Sequence, residues 1–259
     1  MKRALVTGAS ARLGRAMAIS LARAGWDVAV HYGSSEVQAE GVVAEIAELD
    51  RRAAAVQADL AEEDQVQTLV ARSSDALGGP LSLLVNNAAA FDHDTIRTAS
   101  LESWNKHIGI NLRAPFVLCQ KFAEQAPKAL ADARDEPVAQ TSIINIIDQR
   151  VRKLTPHFMT YTLAKSALWT LTQTAAQGLA PDVRVNAIGP GPTLIGARES
   201  DSHFARQRAG TVLERGSDVE DVTGAMHYLI GAKSVTGQLI CTDGGQHLAW
   251  KTHDIEARN

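Results

Sequence analysis

Short apolar runs alternate with longer amphipathic segments along most of the 259-residue chain, and this alternation constrains the fold more than any other feature. The runs are short enough to be strands, and their continuous hydrophobicity indicates burial on both faces. Strands of that kind separated by helices form a parallel sheet covered on both sides. The sequence therefore predicts an α/β fold, a single domain with a doubly wound parallel sheet of about seven strands and helices on both faces.

The predicted elements can be placed along the chain from hydrophobic periodicity. The predicted strands cover residues 4–6, 28–31, 53–57, 81–86, 142–147, 183–188 and 238–241. The clearest helical stretches are 13–24, 37–49, 64–76 and 101–126. We interpret the polar stretch 131–139 as a surface loop, residues 191–216 as a mobile substrate lid with weak periodicity, and 249–259 as a C-terminal tail. One domain, 1–259, is expected, because no linker interrupts the pattern.

Composition excludes several classes of protein. The formal net charge of −3 argues against nucleic-acid binding, and 45% hydrophobic residues are ordinary for a globular chain. The apolar run 4–6 is too short for a secretory signal, and no stretch is long enough to span a membrane. Cys119 and Cys241 are too few and too far apart for a metal cage or a disulfide framework. We expect a soluble cytoplasmic protein with no metal and no nucleic-acid or membrane partner.

A turn rich in small residues follows the first predicted strand and opens the first helix. It contains Gly8, Ser10, Arg12, Leu13 and Gly14. Small residues let the backbone approach a pyrophosphate, whose charge the free N–H groups of the helix N-terminus would bind. An ordinary strand–helix turn can have the same composition. The position of this turn after the first strand of an alternating chain nevertheless favours a Rossmann-type dinucleotide site.

The end of the second predicted strand bears on cofactor choice. A site that prefers NAD usually has an acidic residue there for the ribose hydroxyls. Here the end of the strand and the residues after it include His31, Tyr32, Ser34 and Ser35, with no acid among them. Arg12 adds a positive charge that suits a 2′-phosphate, although it could also be a solvated residue at the helix start. These features predict NADP(H) as the cofactor.

Tyr161 and Lys165 stand four residues apart, so they share one face of a predicted helix. A lysine ammonium beside a phenol lowers the phenol pKa, which would make Tyr161 a usable proton donor near neutral pH. The spacing alone is common by chance. Asn86 and Asn87 follow the fourth strand, and Asn111 interrupts an apolar helical face, either as a hydrogen-bonded core residue or as part of a proton relay.

The glycine turn, Asn86-Asn87-Ala88, Asn111, Tyr161 with Lys165, and Gly189-Pro190-Gly191 resemble, in order and spacing, the short-chain dehydrogenase/reductase superfamily over about residues 2–248. The resemblance implies a homotetramer with Tyr161 as the acid. It also implies that Lys165 binds the nicotinamide ribose, that Asn111 orders a relay water and that Asp59 meets the adenine. The cofactor-binding residues expected on this basis are Gly8, Ser10, Arg12, Leu13, Gly14, His31, Tyr32, Ser34, Ser35, Asp59, Leu60, Asn87, Ala88, Tyr161, Lys165, Pro190, Gly191 and Thr193.

Two positions depart from the usual pattern of that superfamily. Asp148 stands thirteen residues before Tyr161, where most members have a serine, and Arg12 replaces the middle glycine of the turn. These departures resemble pteridine reductases and bacterial dihydromonapterin reductases, which also have His-Tyr after the second strand. Phe91 matches their aromatic residue that stacks on the pterin. Taken alone, Phe91 could equally be a loop aromatic that covers the core.

We therefore predict a reductase that uses NADPH to reduce a pterin-like heterocycle, with Asp148, Tyr161, Lys165 and Asn111 as catalytic residues. The small-molecule substrate is expected to contact Phe91, Asp148, Tyr161 and Leu194. Two alternatives remain open from the residues. The first is a carbonyl or 3-ketoacyl reductase in which Asp148 only replaces the serine as a polar group. The second is a catalytically idle NADP-binding regulatory protein.

Overall fold

Seven strands form one parallel sheet in a computed structural model that describes residues 2–196 and 200–250. The strands of this sheet are β1 (Arg3–Val6), β2 (Asp27–Tyr32), β3 (Ala53–Gln57), β4 (Leu83–Asn86), β7 (Thr141–Ile146), β8 (Val183–Pro190) and β9 (Leu239–Thr242). Their order across the sheet is β3-β2-β1-β4-β7-β8-β9, and every neighbouring pair is parallel. The order reverses beside β1, which places a ligand crevice at the carboxyl edge there.

Helices cover both faces of the sheet. They are α1 (Arg12–Arg23), α2 (Glu36–Ala47), α3 (Glu63–Ala76), α4 (Leu101–Ile108), α5 (Ala114–Gln125), α6 (Met159–Gly178), α7 (Asp201–Ala209) and α8 (Val219–Gly231). In the two described ranges, none of them is long and apolar enough to cross a membrane. The predicted α/β fold, a single doubly wound domain, is confirmed.

The hydrophobic core consists of two main apolar layers, one on each side of the sheet. Side chains of α1, α2 and α8 pack on one face, and side chains of α3, α5 and α6 pack on the other. Consecutive residues of β1 alternate between the layers, with Ala4 and Val6 in the first and Leu5 in the second. Because both faces are covered, the strands read as continuous apolar runs in the sequence.

Two of the predicted boundaries are wrong. The single helix predicted over 101–126 is divided into α4 and α5 by a π-helical segment, Gly109–Arg113. The stretch 131–139, predicted to be a loop, takes part in a small antiparallel hairpin of β5 (Leu130–Ala131) and β6 (Pro137–Val138). Both of these strands lie at the surface and contain no buried residue, so hydrophobic alternation gives no signal for them.

The lid segment, residues 191–216, contains α7, which the sequence did not predict. Ser200 caps this helix by accepting a hydrogen bond from the backbone N–H of His203 at 3.3 Å. None of the residues of α7 is buried, so the helix lacks the apolar stripe by which periodicity finds helices. Residues 197–199 of the predicted lid and residues 251–259 of the predicted tail lie outside the described residues.

Two backbone turns touch where β1 meets α1. Gly8 has φ +62°, and a Cβ on it would lie 3.0 Å from Cα of Ala88. A Cβ on Gly14 would lie 2.1 Å from the carbonyl oxygen of Gly8 and 2.6 Å from Nδ2 of Asn87. The contact of a Gly14 Cβ with the carbonyl oxygen of Gly8 is a contact with backbone, which has no room to move. The glycines therefore set how closely the turns after β1 and β4 approach.

Gly14→Ala should destabilise the protein by about 1–3 kcal/mol, because the new methyl group overpacks the contact between the turns. Gly41→Ala is a matched control, since Gly41 lies in α2 with open space around its Cα. That change should instead raise the free energy of unfolding by about 0.5–1 kcal/mol through helix propensity. Urea denaturation measures both variants, and equal effects at the two glycines would contradict the packing argument.

Candidate active site

A cleft of about 860 Å³ opens at the carboxyl ends of β7 and β8. Its walls come from the chain after β7, from the start of α6 and from the lid segment. The predicted site residues that line it are Arg12, Leu13, Phe91, Asp148, Tyr161, Pro190, Gly191, Thr193 and Leu194. The structure thus brings together residues that are up to 182 positions apart, as in the contact between Arg12 and Leu194. We call this space the active-site cleft.

Thr7 and Asn87 tie the glycine turn to the turn after β4. The hydroxyl of Thr7 accepts hydrogen bonds from the backbone N–H groups of Asn87 and Ala88, at 2.9 and 3.0 Å. The side chain of Asn87 donates to the carbonyl oxygens of Thr7 and Gly8, at 2.8 and 3.2 Å. Asn87 and Ala88 therefore support the cofactor turn through hydrogen bonds and close backbone packing.

His31 supports the glycine turn from the neighbouring strand. Its Nδ1 accepts a hydrogen bond from the backbone N–H of Gly8 at 3.0 Å, and its Nε2 donates to the carbonyl of Ala58 at 3.0 Å. Both partners fit the neutral ring, and burial lowers the His31 pKa from 6.5 to about 4. His31 was predicted to bind the cofactor, but the structure buries it behind the turn, where it positions Gly8.

The N-terminus of α1 is suited to a phosphate. The residue before the helix is Ala11, so no side chain caps the first turn, and that turn contains no acidic residue. Its backbone N–H groups therefore remain available to an anion, and Ser10 and Leu13 flank them. This donor set fits the pyrophosphate of a dinucleotide. The small residues of the turn leave room for the phosphates to approach these N–H groups.

Arg12 lies differently from the expectation that it stands free beside a 2′-phosphate. Its guanidinium donates hydrogen bonds to the carbonyl oxygens of Ile195 and Leu194, at 2.8 and 3.1 Å. Arg12 does not stand free because the carbonyl oxygens of Leu194 and Ile195 are good acceptors for a charged guanidinium. Arg12 also has φ +52°, the left-handed region that explains why glycine is usual at this position. Its contact with a 2′-phosphate stays a prediction.

The other predicted cofactor residues lie at the ends of β2 and β3, outside the wall of the active-site cleft. Tyr32 pairs with Gln57 across these strands, so the residues that follow both strands share one edge. Ser34 is exposed and Ser35 precedes α2, while Leu60 is buried. The carboxylate of Asp59 accepts from the backbone N–H of Ala61 at 2.9 Å. This edge is open to the distal half of a dinucleotide.

Tyr161, Asp148 and Lys165 form the polar centre of the cleft. The hydroxyl of Tyr161 donates a hydrogen bond to Oδ2 of Asp148 at 3.0 Å. Oδ1 of Asp148 accepts from the backbone N–H of Arg150 at 2.8 Å, which fixes the carboxylate. Nζ of Lys165 donates to the carbonyl of Ile146 at 2.7 Å and lies 5.8 Å from the centre of the Tyr161 ring. The structure therefore gathers a phenol, a carboxylate and an ammonium at one strand end.

The electrostatics of this centre correct one prediction. Burial, followed by the charge of Asp148, holds the pKa of Tyr161 well above its ordinary 10.0. The expectation that the pKa of Tyr161 is lowered is therefore wrong in this arrangement, because burial and the charge of Asp148 both raise it. Burial also raises the pKa of Asp148 and lowers that of Lys165 to about 8. Tyr161 is a neutral proton donor here, with its proton shared towards Asp148.

Asn111 lies in the π-helical segment and is fully buried. Its side-chain amide donates to the carbonyl of Ala90 at 2.9 Å and accepts from the N–H of the same residue at 2.8 Å. Both side-chain bonds therefore hold the chain just before Phe91. These bonds agree with the interpretation of Asn111 as a hydrogen-bonded core residue. Its role in a proton relay through a water stays a prediction. A π-helical turn is frequent at functional sites.

The chain matches the model of one protein family over residues 8–247, and that family is described as enoyl-(acyl carrier protein) reductase. A 3-oxoacyl-[acyl-carrier-protein] reductase, FabG of Staphylococcus epidermidis, is 31% identical over 252 residues, which are 95% of this chain and 99% of the relative. A solved short-chain dehydrogenase from Burkholderia cenocepacia in complex with NADP is 32% identical, with a TM-score of 0.85 over 96% of this chain and 98% of that one.

The chain belongs to the short-chain dehydrogenase/reductase superfamily. Another similar structure is FolM, alternative dihydrofolate reductase 1 of Brucella suis, in complex with NADP. It is 40% identical to this chain, with a TM-score of 0.90 and coverage of 98% of both chains. The superfamily predicted from the motifs is confirmed, while the relatives differ in the substrates that their names state.

In this short-chain dehydrogenase/reductase an aromatic stack forms one wall of the cleft. The rings of Phe91 and Phe158 are parallel, 4.4 Å apart at their centres, and Phe91 meets the edge of Tyr161 at 4.7 Å. The guanidinium carbon of Arg150 lies 4.8 Å from the centre of the Phe158 ring. The sequence predicted Phe91 alone. Phe158 and Arg150 were missed because no spacing rule marks them.

A buried hydrogen-bonded chain behind Tyr161 was also missed. The backbone N–H of Asp92 donates to Nε2 of His107 at 3.1 Å, so the proton of the neutral ring is on Nδ1. Nδ1 donates to the hydroxyl of Thr160 at 2.6 Å, and that hydroxyl donates to the carboxylate of Asp94. This chain fixes the first turn of α6, which carries Tyr161. Asp94 and His107 stand beside other polar residues in the sequence, so no local pattern marks them.

Protonation of His31 should weaken the fold in acid. The unfolded chain binds the His31 proton near pH 6.5, whereas the folded chain binds it only near pH 4. The contribution of His31 is thus fully present above pH 6.5 and is lost as the pH falls towards 4, by an amount on the order of 3 kcal/mol. The measurement is the free energy of unfolding against pH. His31→Gln should flatten the curve over this window, and parallel curves would refute the assignment.

Proposed function

We propose that the protein is an NADPH-dependent reductase that transfers a hydride to a C=N bond of a pterin-like heterocycle. The observation that carries this proposal is the carboxylate of Asp148 in the cleft, within hydrogen-bond distance of the Tyr161 hydroxyl at 3.0 Å. A heterocycle with ring N–H groups and ring nitrogens offers both donors and acceptors to this pair. A ketone offers only an acceptor oxygen, for which a serine hydroxyl would suffice.

Two further features support a heterocycle with N–H donors. Oε1 of Gln149 is buried beside the cleft and has no hydrogen-bond partner among the described residues, so it is an acceptor that a ligand N–H would satisfy. Phe91 is 52% exposed, although Phe158 stacks on its ring at 4.4 Å and Tyr161 packs against it in a T-shaped contact at 4.7 Å. The exposed part of the ring is available to a flat ligand ring. The similarity to FolM, whose name states a dihydrofolate reductase, agrees with this choice.

We propose NADP(H) as the cofactor. The uncapped N-terminus of α1 fits the pyrophosphate, and the absence of an acid at 31–35 favours a phosphorylated ribose. Among the relatives, the solved FolM and the Burkholderia cenocepacia enzyme are both complexes with NADP. When bound, the nicotinamide would supply the hydride, and every other step falls to residues of this chain.

Four polar residues of the site would each have a separate role in the proposed reaction. Tyr161 would donate a proton to the ring nitrogen as the hydride reaches the adjacent carbon. Asp148 would accept an N–H of the heterocycle or, when protonated, donate to it, and burial favours the protonated form by raising its pKa. Lys165, with a pKa of about 8, is mostly cationic at neutral pH and would bind the ribose of the nicotinamide. Asn111 would hold the Phe91 loop in place.

A carbonyl or 3-ketoacyl reductase is the second candidate. The specific observation that favours it is the 31% identity to a 3-oxoacyl-[acyl-carrier-protein] reductase over 95% of the chain. In that case Asp148 would only orient Tyr161. The third candidate, an idle NADP-binding regulatory protein, accounts poorly for the ordered contact between Tyr161 and Asp148. The homotetramer, the lid function of 191–216 and the cytoplasmic location stay predictions.

Tyr161→Phe should keep cofactor binding and lose most of the turnover, because it removes only the hydroxyl that donates the proton. General acid catalysis typically contributes about 10²–10⁴-fold to the rate. Steady-state NADPH oxidation measures kcat, and fluorescence titration measures NADPH binding. Tyr228→Phe is the matched control, since Tyr228 lies exposed on α8. A kcat of Tyr161→Phe close to wild type would rule out Tyr161 as the donor.

The choice between pterin and ketone can be tested at Asp148 and Phe91. Asp148→Ser should depress dihydropterin reduction about tenfold or more, because a charge-assisted hydrogen bond is lost. Phe91→Ala should raise the KM for a dihydropterin, because a stacking face is removed. The assays compare NADPH oxidation with 7,8-dihydrobiopterin and with small ketones or 3-ketoacyl thioesters.

Wild-type protein that reduces ketones far better than any dihydropterin would make the carbonyl reductase the leading function. Full dihydropterin turnover in Asp148→Ser would likewise remove the basis of the proposal. Asp75→Ser is a matched control for the lost carboxylate, because Asp75 is exposed on α3, away from the cleft. Its kinetics should equal those of the wild type.

A further inference from the structure

Arg150 lies in the wall of the active-site cleft, two residues after Asp148, and the chemistry proposed above does not use its side chain. Its side chain is only 22% exposed. The guanidinium is packed on Phe158, with its carbon 4.8 Å from the ring centre, and Nη1 donates to the hydroxyl of Thr155 at 3.2 Å. The cation is thus oriented by packing before any ligand arrives, in the manner of a preorganised binding group.

The donors of Arg150 are only partly used. A guanidinium has five N–H donors, and Nε lies 3.9 Å from Oδ2 of Asp148, beyond the distance of a hydrogen bond. Nη2 donates to no other residue within 2–196 and 200–250. A planar edge of the guanidinium therefore remains for a ligand, and the ligand that matches it is a carboxylate or a phosphate.

The charges around the cleft point to the same ligand. Arg12 and Arg150 contribute two cations to the wall, against the carboxylates of Asp92 and Asp148. Lys106 neutralises Asp92 through an ion pair at 2.6 Å. Asp148 accepts from the Tyr161 hydroxyl and lies 3.9 Å from Nε of Arg150, a long ion pair. With Asp92 paired to Lys106, the two arginines still exceed the remaining carboxylate by one positive charge, which favours an anionic group in the cleft.

The distance from the polar centre to the cation is short. Nε of Arg150 lies 3.9 Å from Oδ2 of Asp148, the carboxylate that would bind the heterocycle. A ring held at Asp148 would thus place a substituent of a few bonds beside Arg150. The substituent, not the reduced ring, would carry the anion.

We propose that Arg150 is a specificity-determining residue that binds an anionic group on the substituent of the substrate. The inference rests on the proposed pterin function and adds to it the substrate class, a dihydropterin whose side chain carries a carboxylate or a phosphate. Arg150 selects this class through charge-assisted hydrogen bonds at the mouth of the cleft. It takes no part in the transfer of hydride or proton.

The test compares KM values for three reduced pterins with NADPH. The probes are 7,8-dihydrofolate, which has carboxylates, 7,8-dihydroneopterin phosphate, and 7,8-dihydrobiopterin, whose side chain is uncharged. Arg150→Gln should raise the KM for at least one of the two anionic probes about tenfold or more. The KM for dihydrobiopterin should stay close to that of the wild type. The anionic probe with the larger loss identifies the group, carboxylate or phosphate. Arg150→Lys, which keeps the charge, should recover part of the loss.

Arg152→Gln is the matched control, because Arg152 is exposed in the same segment and does not line the cleft. It should change none of the three KM values. Added salt should raise the wild-type KM for the anionic probe only. An equal rise for charged and uncharged probes in Arg150→Gln would assign Arg150 a structural role on Phe158 and overturn the inference while the pterin function stands. No turnover of any dihydropterin would overturn the proposed function itself.

Discussion

The close approach of two backbone turns is the constraint on which the rest of the site depends. The turn after β1 and the turn after β4 touch at Gly8 and Ala88, and the hydroxyl of Thr7 with the side chain of Asn87 join them. His31 adds a third support from β2. Because these side chains all bind backbone groups of the turns, the cofactor turn is tied to the sheet, and the free N–H groups of α1 point from a rigid base.

The polar centre shows how burial and charge compete over one proton. Asp148 lies between a phenol that donates to it and a backbone N–H that also donates to it, so its charge is well satisfied even though burial opposes it. Burial and that same charge raise the pKa of Tyr161, whereas the charge of Arg150 lowers it. A serine at position 148 would remove the carboxylate and leave the opposing cation. Asp148 therefore sets the acidity of the site as well as its hydrogen-bond pattern.

Most of the fold could be predicted from the sequence because buried parallel strands leave a strong local signal, and the strands were placed within a few residues. The parts that escaped lack such a signal: α7 has no buried face, and the π-helical segment has the same apolar pattern as the helices around it. Motif residues such as Tyr161 and Asp148 were found by position. Arg150 and Phe158 were not, because their importance arises from a stack that only tertiary packing creates.

The π-helical segment has a consequence for how the chain can change its length. Each α-helical residue turns the helix by about 100°, and a wider π turn absorbs one additional residue without rotating the helix on its C-terminal side. Deleting one residue from Gly109–Arg113 would let α4 and α5 fuse into a regular helix. It would also swing Asn111 away from Ala90, or turn the buried face of α5 away from the sheet. One inserted residue thus fixes the azimuth of a whole helix relative to the catalytic loop.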